Sequence, residues 1–319
     1  MKLVVLERNS VGTDISVDCF KDFGETEYYP NTVLEDVEDK IKDVDIIIAN
    51  KVPMNEHTLK DAINVKLICV VATGYDNVDL DYCTKRGIQV SNVVDYSTAA
   101  VAQHTIAMTL FLLEHLKFYD DYVKSGEYGA QSRFSNFDNP YGELEGKIWG
   151  IVGMGNIGRK VAKIAEAFGC KVIFYSASGH SSCIDYERVE FDELLTQCDY
   201  ISLHCPLSDK TRDLFDKRAF EKMKNTAILL NVARGPVVNN NDLYEALING
   251  QIAAAGLDVL EKEPIQPNNP LGKIKDSNKL IITPHMAWAS TEARIRVVEE
   301  TYKNIGAFLK GEARNKVNK

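Results

Sequence analysis

The feature that most constrains this chain is the alternation of short, almost wholly apolar runs with stretches of helical period. LVVL (3–6), DIIIAN (45–50), KLICVV (66–71) and IQVSN (88–92) read as strands. Between them 55–62 and 79–86 read as helices, the second closed by Gly87. Strands that are apolar on both faces and separated by helices require a parallel sheet with helices packed on each side. A second such series begins at Lys147. Its strands are KIWGIV (147–152), KVIFY (171–175), YISLH (200–204), AILLNV (227–232), IAAAGLDV (252–259) and LIIT (280–283). Helices over 157–168 and 242–248 end at Gly169 and Gly250, as helices commonly do. Between the two series a helix starts at Ser97 or Thr98, both good N-caps, and runs to about residue 116. It is apolar nearly all round and is expected to be buried. The segment 125–146 lacks apolar period and reads as a long surface loop, and 291–309 reads as an amphipathic helix.

Composition narrows the function classes. Lys and Arg total 37 against 46 Asp and Glu in 319 residues, a net charge of −9, and no basic run occurs. That balance argues against nucleic acid or an anionic membrane as the main partner. The most apolar stretch, 99–113, holds Gln103, His104 and two threonines, and is too short and polar to span a bilayer. The seven cysteines form no C-x-x-C pair and several sit in strand-like runs. They read as reduced thiols packed as small hydrophobes in a cytoplasmic protein, with no metal site.

The segment WGIVGMGNIGRK contains Gly153-Met-Gly155-Asn-Ile-Gly158. Alone, G-x-G-x-x-G is a weak signal. Here it follows a strand, opens a helix and is followed by another strand, the context a dinucleotide site requires. Gly153 makes the tight turn, Gly155 lets backbone approach a pyrophosphate, and Gly158 lets the helix pack close to the strand. The helix start, Asn156 and Ile157 onward, offers N–H groups to phosphate. The strand KVIFY ends in Ser176-Ala-Ser178-Gly-His180, without the acidic residue that holds a ribose 2′-hydroxyl and repels a 2′-phosphate. No Arg follows closely and His180 is the nearest potential cation. The cofactor site therefore reads as permissive, accepting NADP(H) as well as NAD(H). The expected fold class is α/β: two Rossmann-like or flavodoxin-like parallel-sheet domains.

Three segments lie just past the ends of expected strands: Asn231-Val-Ala-Arg234-Gly235, Asp258-Val-Leu-Glu-Lys-Glu263-Pro264 and Thr283-Pro284-His285-Met-Ala-Trp288. Ligands of open α/β sheets bind at those ends. With GYDNVD (74–79), YSTAAVAQHT (96–105), the glycine fingerprint and HCPL (204–207), they resemble the D-2-hydroxyacid dehydrogenase family over essentially the whole chain. PHMAWAS (284–290) and NKVPM (50–54) look most like its glycerate dehydrogenases, also called hydroxypyruvate reductases. The chemistry suits such residues. Reduction of a 2-oxo acid adds hydride to C2 and a proton to the developing alkoxide, and His285 would supply that proton. Glu263 would orient the ring and stabilise its charged form, and Arg234 would clamp the substrate carboxylate and polarise the carbonyl.

The resemblance further implies a substrate domain of residues 1–97 plus 289–319 and an NAD(P)-binding domain of residues 98–288, with a cleft between them. Thr73, Cys205, Val232 and Ala233 would line the cofactor path with Asn156 and Ile157, beside Ser176, and Asp258 would hold the nicotinamide carboxamide. Asn50, Lys51, Thr73, Gly74 and Tyr75 would bind substrate alongside Arg234 and His285. Polar groups at Asn50 and Lys51 fit the hydroxymethyl of hydroxypyruvate, while an apolar pocket shaped by Met54 or Trp288 would favour bulkier 2-oxo acids. A homodimer is expected, with the 97–116 helix at the contact. A different class, a non-catalytic NAD(H)-dependent co-regulator on the same fold, would keep the same three side chains. The absence of long tails and of a basic surface favours the enzyme.

Overall fold

The computed structural model describes residues 1–319, which divide into two compact units. The first comprises Met1–Ser97 and Ala289–Lys319, the second Thr98–Trp288.

In the first unit five parallel strands, β1 (Lys2–Val5), β2 (Glu25–Tyr28), β3 (Ile46–Ala49), β4 (Leu67–Val70) and β5 (Gln89–Ser91), lie in the order β2-β1-β3-β4-β5. The central β3 and β4 are buried at every position, as their unbroken IIIA and LICV require. Helices α1 (Val37–Ile41), α2 (Glu56–Leu59) and α3 (Leu80–Lys85) connect them. Asn55 and Thr58 form a capping box at the start of α2. The sequence reading omits β2: its ETEY alternates exposed and half-buried positions at a sheet edge, so it carries no apolar run. At the opposite edge the polar C-terminal tail lies against β5. Val317 N–H donates to Val90 O at 2.9 Å, and the Asn318 side chain pairs with Val90 N and Ile88 O. The exposed edge is thereby covered.

The second unit opens with α4 (Thr98–Leu113), α5 (Leu116–Lys124) and α6 (Glu127–Ala130). The sequence run to residue 116 is two helices, not one, because His115 takes a left-handed φ of 51° and breaks it. Seven parallel strands follow: β6 (Ile148–Val152), β7 (Lys171–Tyr175), β8 (Glu187–Arg188), β9 (Tyr200–Leu203), β10 (Ile228–Asn231), β11 (Ala254–Leu257) and β12 (Leu280–Ile282). Their order is β12-β11-β10-β9-β6-β7-β8. Helices α7 (Asn156–Ala167), α8 (Phe191–Gln197), α9 (Lys217–Lys222) and α10 (Asn240–Ile248) join them. The chain leaves β6 toward β7 and returns to β9 on β6's other side, so strand order reverses between β6 and β9, where open α/β sheets bind ligands.

The sheet's two faces carry separate cores. Trp149, Ile151, Tyr200 and Leu230 point to one, covered by α4 and α7. Val152, Ile201, Leu203 and Leu229 point to the other, with residues of α8, α9 and α10. Each fully buried aliphatic chain contributes roughly 1.5–3 kcal/mol. Within α4, Thr105 and Thr109 bury their hydroxyls by donating to Val101 O and Thr105 O, each at 2.8 Å. The apolar surface of α4 packs against its own sheet and α7, with Leu110, Phe111 and Leu113 left half-buried. The last helix, α11 (Thr291–Leu309), packs against β4 of the first unit, and no helix is long and apolar enough to cross a membrane.

Candidate active site

The glycine fingerprint sits at the strand-order reversal. Gly153 follows β6 with φ 97°, and a Cβ there would lie 2.8 Å from His204 O and Cys205 N, so only glycine permits this turn against the end of β9. A Cβ on Gly158 would meet Gly153 O at 2.3 Å, which holds α7 close to its strand. Gly155 differs: a Cβ there would meet nothing within 4 Å. Its backbone borders open space at the N-terminus of α7, whose N-cap is this glycine and offers no capping side chain. A helix start facing space beside a glycine fits the pyrophosphate of a dinucleotide. Cys205 is buried alongside, and burial pushes its thiol up to about 11, which disfavours the thiolate a nucleophile needs. Beneath it Trp149 Nε1 donates to Ser202 Oγ at 2.9 Å, and that hydroxyl meets His204 Nε2 at 3.0 Å. His204 Nδ1 is sealed from solvent without a partner, and burial pushes the ring's pKa down to about 3.

At the end of β7, Ser176 and Ser178 fold the chain back on itself. Both hydroxyls donate to His180 O, at 2.7 and 3.1 Å, around Gly179 at φ 77°. Two arginines frame this loop. Arg188 pairs with Phe174 across β8 and β7 and donates from Nη1 to Gly179 O at 2.8 Å. Arg159, in the first turns of α7, donates from Nη2 to Ser182 Oγ at 3.0 Å and lies 3.9 Å from Asp185. The sequence reading, which found His180 the nearest cation, misses both. Parallel strand pairing, not chain proximity, brings Arg188 to the loop.

Arg234, Glu263 and His285 follow the carboxyl ends of β10, β11 and β12, three neighbouring strands. The turn after β10 is fixed by the buried Asn231 side chain, which accepts from Ala233 N at 3.0 Å and donates to Arg234 O at 2.9 Å. Ala233 is buried and Val232 half-buried on this turn. Arg234 Nη1 donates to Ala233 O at 2.8 Å. Next to it, Gly235 lies so close to the following loop that a Cβ would stand 1.9 Å from Leu260 C and O. That loop carries Glu263. Its Oε1 accepts from Leu260 N at 3.0 Å and its Oε2 meets His285 Nδ1 at 2.7 Å. Glu263 is acceptor-only when ionised, so Nδ1 carries hydrogen and Nε2 is the edge left for chemistry.

His285 has φ 55°, held because its N–H donates to both Asp258 O, at 2.8 Å, and Thr283 O, at 3.0 Å. Asp258 is almost completely buried. Its carboxylate accepts from Thr283 Oγ1 at 2.6 Å, Met286 N at 2.7 Å and Ala287 N at 2.8 Å, so it holds the His285 loop in place. With about four lone-pair sites on a carboxylate, one direction remains for a further donor. His104 on α4 meets Thr283 Oγ1 from the other side at 3.0 Å. Because that hydroxyl gives its hydrogen to Asp258, it accepts from His104 Nε2. This supporting role leaves no signal in the local sequence.

In the first unit the expected substrate residues occupy loops after two adjacent strands. Asn50 and Lys51 follow β3, and Thr73, Gly74 and Tyr75 follow β4. Thr73 Oγ1 donates to Val93 O, and its carbonyl accepts from Asn92 Nδ2. Tyr75 is partly exposed and Asn50 buried. Glu7, which the sequence reading does not single out, accepts from the backbone N–H groups of Asn50, Lys51 and Val52 at 2.6–3.2 Å and fixes that loop. It lies more than forty residues away in sequence, so only the β1–β3 pairing reveals it. No group of three or more His, Cys, Asp or Glu is placed to hold a metal ion.

The chain is similar to known proteins in sequence and fold. The profile of the D-isomer specific 2-hydroxyacid dehydrogenase NAD binding domain matches residues 106–287. A hydroxypyruvate reductase of Blautia hydrogenotrophica is 40% identical over the full length of both chains. A D-lactate dehydrogenase from Aquifex aeolicus, solved with NAD and lactic acid, superposes with a TM-score of 0.86 at 31% identity, covering 98% of this chain and 96% of that one. The acyclic imino acid reductase Bsp5, solved with NADPH and D-Arg, superposes at 0.89 with 27% identity, covering 99% and 100%.

Proposed function

The chain belongs to the D-isomer specific 2-hydroxyacid dehydrogenases, and on that premise we propose that it reduces hydroxypyruvate or glyoxylate to the D-2-hydroxy acid, with His285 as general acid–base. The enzyme is a nicotinamide-dependent oxidoreductase. The bound nicotinamide supplies the hydride in reduction and takes it in oxidation. The second unit holds the cofactor through Gly153, Gly155, Gly158 and the N–H groups of Asn156 and Ile157. Ser176, Cys205, Val232, Ala233 and Asp258 line its course, with Thr73.

The chain's own residues do the rest. Arg234 presents a planar fork to the substrate carboxylate and draws charge toward the carbonyl oxygen as that oxygen becomes an alkoxide. His285 Nε2 delivers a proton to it, and Glu263 steadies the ring in the donating tautomer throughout. Asn50, Lys51, Thr73, Gly74 and Tyr75 of the first unit are the proposed further substrate ligands. The observation that carries this reading is the 2.7 Å contact between His285 Nδ1 and a Glu263 carboxylate that is itself anchored by Leu260 N. An imidazole with one nitrogen fixed by an anchored carboxylate is set up to move protons at the other.

Hydroxypyruvate is favoured over larger 2-oxo acids by the name of the 40%-identical relative and by the polar Asn50–Lys51 loop. Initial rates with hydroxypyruvate, glyoxylate and phenylpyruvate test this. Hydroxypyruvate is expected to give the highest kcat/KM, and a highest value for phenylpyruvate would replace the substrate. The working form is proposed to be a cytoplasmic homodimer. Seven unpaired thiols, six of them buried, suit a reducing compartment. The surfaces that suit a second copy are α4, with its half-buried Leu110, Phe111 and Leu113, and the exposed aromatic cluster Tyr128, Phe134, Phe137 and Tyr141 beyond α5.

A further inference from the structure

We infer that Arg188 is a ligand for the 2′-phosphate of NADP(H), which makes the cofactor pocket selective for the phosphorylated dinucleotide rather than merely tolerant of it. The inference rests on the proposed dinucleotide site and assigns its adenosine end.

Three observations carry it. The first is an absence of negative charge where it would matter. The ribose next to the adenine lies beyond the end of the second strand of the fingerprint unit, where an acidic residue excludes a 2′-phosphate. Here that strand is β7, and residues 176–184 contain no Asp or Glu.

The second is that the loop does not supply the donors its serines suggest. Ser176 and Ser178 both give their hydroxyl hydrogens to His180 O, and Gly179 N–H donates to Ser176 O. The loop is closed on itself, so a bound phosphate must draw its donors from elsewhere.

The third is Arg188. It is exposed, yet not adrift, since its Nη1 contact to Gly179 O holds the guanidinium against the loop. The rest of the fork keeps its N–H groups for a ligand. Of the three carboxylates within three residues of Arg188 (Asp185, Glu187 and Glu190), none pairs with it, and two are engaged elsewhere. Glu187 Oε2 pairs with Lys171 Nζ at 2.9 Å, and Asp185 lies toward Arg159 at 3.9 Å. Arg188 itself makes no ion pair. In a chain of net charge −9, a guanidinium that is fixed in place, unpaired and set on an acid-free loop is matched to a dianion. Arg159 has a different part. Bound to Ser182, it ties the far side of the same loop to α7, the helix whose start faces the pyrophosphate. The loop, the strand bearing Arg188 and the phosphate-binding helix start are thereby held in one piece.

Equilibrium binding tests this without turnover. NADPH and NADH are titrated separately into the full-length wild type, Arg188→Ala and Arg188→Lys, following the quenching of protein fluorescence. The wild type is expected to bind NADPH more tightly than NADH. Arg188→Ala should weaken NADPH binding about 10–100-fold, the range for a charge-assisted pair, and change NADH binding less than about threefold. Lys keeps the charge but not the fork, so it should fall between. Equal weakening of both cofactors by Arg188→Ala, or tighter binding of NADH by the wild type, overturns the inference. If Arg188→Ala does not fold, competition on the wild type decides. Adenosine 2′,5′-bisphosphate must displace the cofactor at lower concentration than 5′-AMP, and parity refutes the assignment. Should neither NADPH nor NADH bind at all, it is the dinucleotide site that fails. Binding of both without dependence on Arg188 sinks this inference alone.

Discussion

Gly235→Ala should uncouple the catalytic side chains without touching any of them. The backbone at Gly235 is not left-handed, so alanine meets no conformational objection there. The objection is space. A Cβ would lie 1.9 Å from Leu260 C and O and 2.5 Å from Glu261 N, against the roughly 3.5–4 Å of an ordinary carbon contact. The neighbours are main chain and cannot rotate aside, so the two loops must part by about 1.5 Å. Leu260 N–H is the donor that anchors Glu263 Oε1, so Glu263 moves with it and the 2.7 Å contact to His285 is lost. Overpacking of this kind costs about 1–3 kcal/mol, and Tm shifts about 2–4 °C per kcal/mol for a domain of this size. A misplacement of about 1 Å around a reacting group costs on the order of a hundredfold in rate. Kinetics with hydroxypyruvate and thermal unfolding are measured on the same preparation. A kcat about a hundredfold down in a protein that still binds cofactor is the expected result. A variant with kcat within threefold of wild type would show that the contact between these loops does not set the catalytic geometry.

Other expectations follow from the same geometry. Arg234→Ala should raise KM for the oxo acid and lower kcat by at least about tenfold each, since carboxylate clamp and carbonyl polarisation are lost together; steady-state kinetics with both constants unchanged would remove the clamp. Gly155→Ala should leave Tm within about 2 °C, because its Cβ meets nothing, yet weaken cofactor binding more than about tenfold by filling the phosphate's space. Unchanged affinity in a binding titration would move the pyrophosphate elsewhere. His204 is neutral in the fold, its pKa pushed down to about 3, whereas the unfolded chain takes up a proton near 6.5. Stability should therefore fall as pH drops below 6.5, by up to about 1.4 kcal/mol per unit from this one ring. Urea unfolding at pH 7 and pH 5 should show a smaller loss for His204→Gln than for wild type, and equal losses would contradict the buried neutral ring.

How far the sequence reaches can be read from single elements. The strands β3, β4, β6, β9 and β10 are legible because burial on both faces demands nearly continuous apolar runs, interrupted only by the hydrogen-bonded Ser202 in β9 and Asn231 at the end of β10. The edges β2 and β8 are not, since a strand with one neighbour and a wet face keeps charged residues such as Glu25, Glu187 and Arg188. The break at His115 is equally silent, because one left-handed residue in an apolar run leaves the helical period almost unaltered. In the site the same division holds. His285, Glu263 and the glycines announce themselves through local spacing after strands. Glu7, Arg188 and His104 act across the sheet or between layers on loops 9 to 179 residues away, and nothing local marks them.

Catalysis in this enzyme turns on a proton carried by His285. The most direct measurement is kcat for hydroxypyruvate reduction by His285→Ala, at saturating cofactor whose binding has been titrated on the same variant. General acid–base catalysis is worth about 10²–10⁴-fold. A kcat reduced by at least a hundredfold with cofactor affinity unchanged is the expected result, and a variant that keeps more than a tenth of wild-type kcat would contradict it.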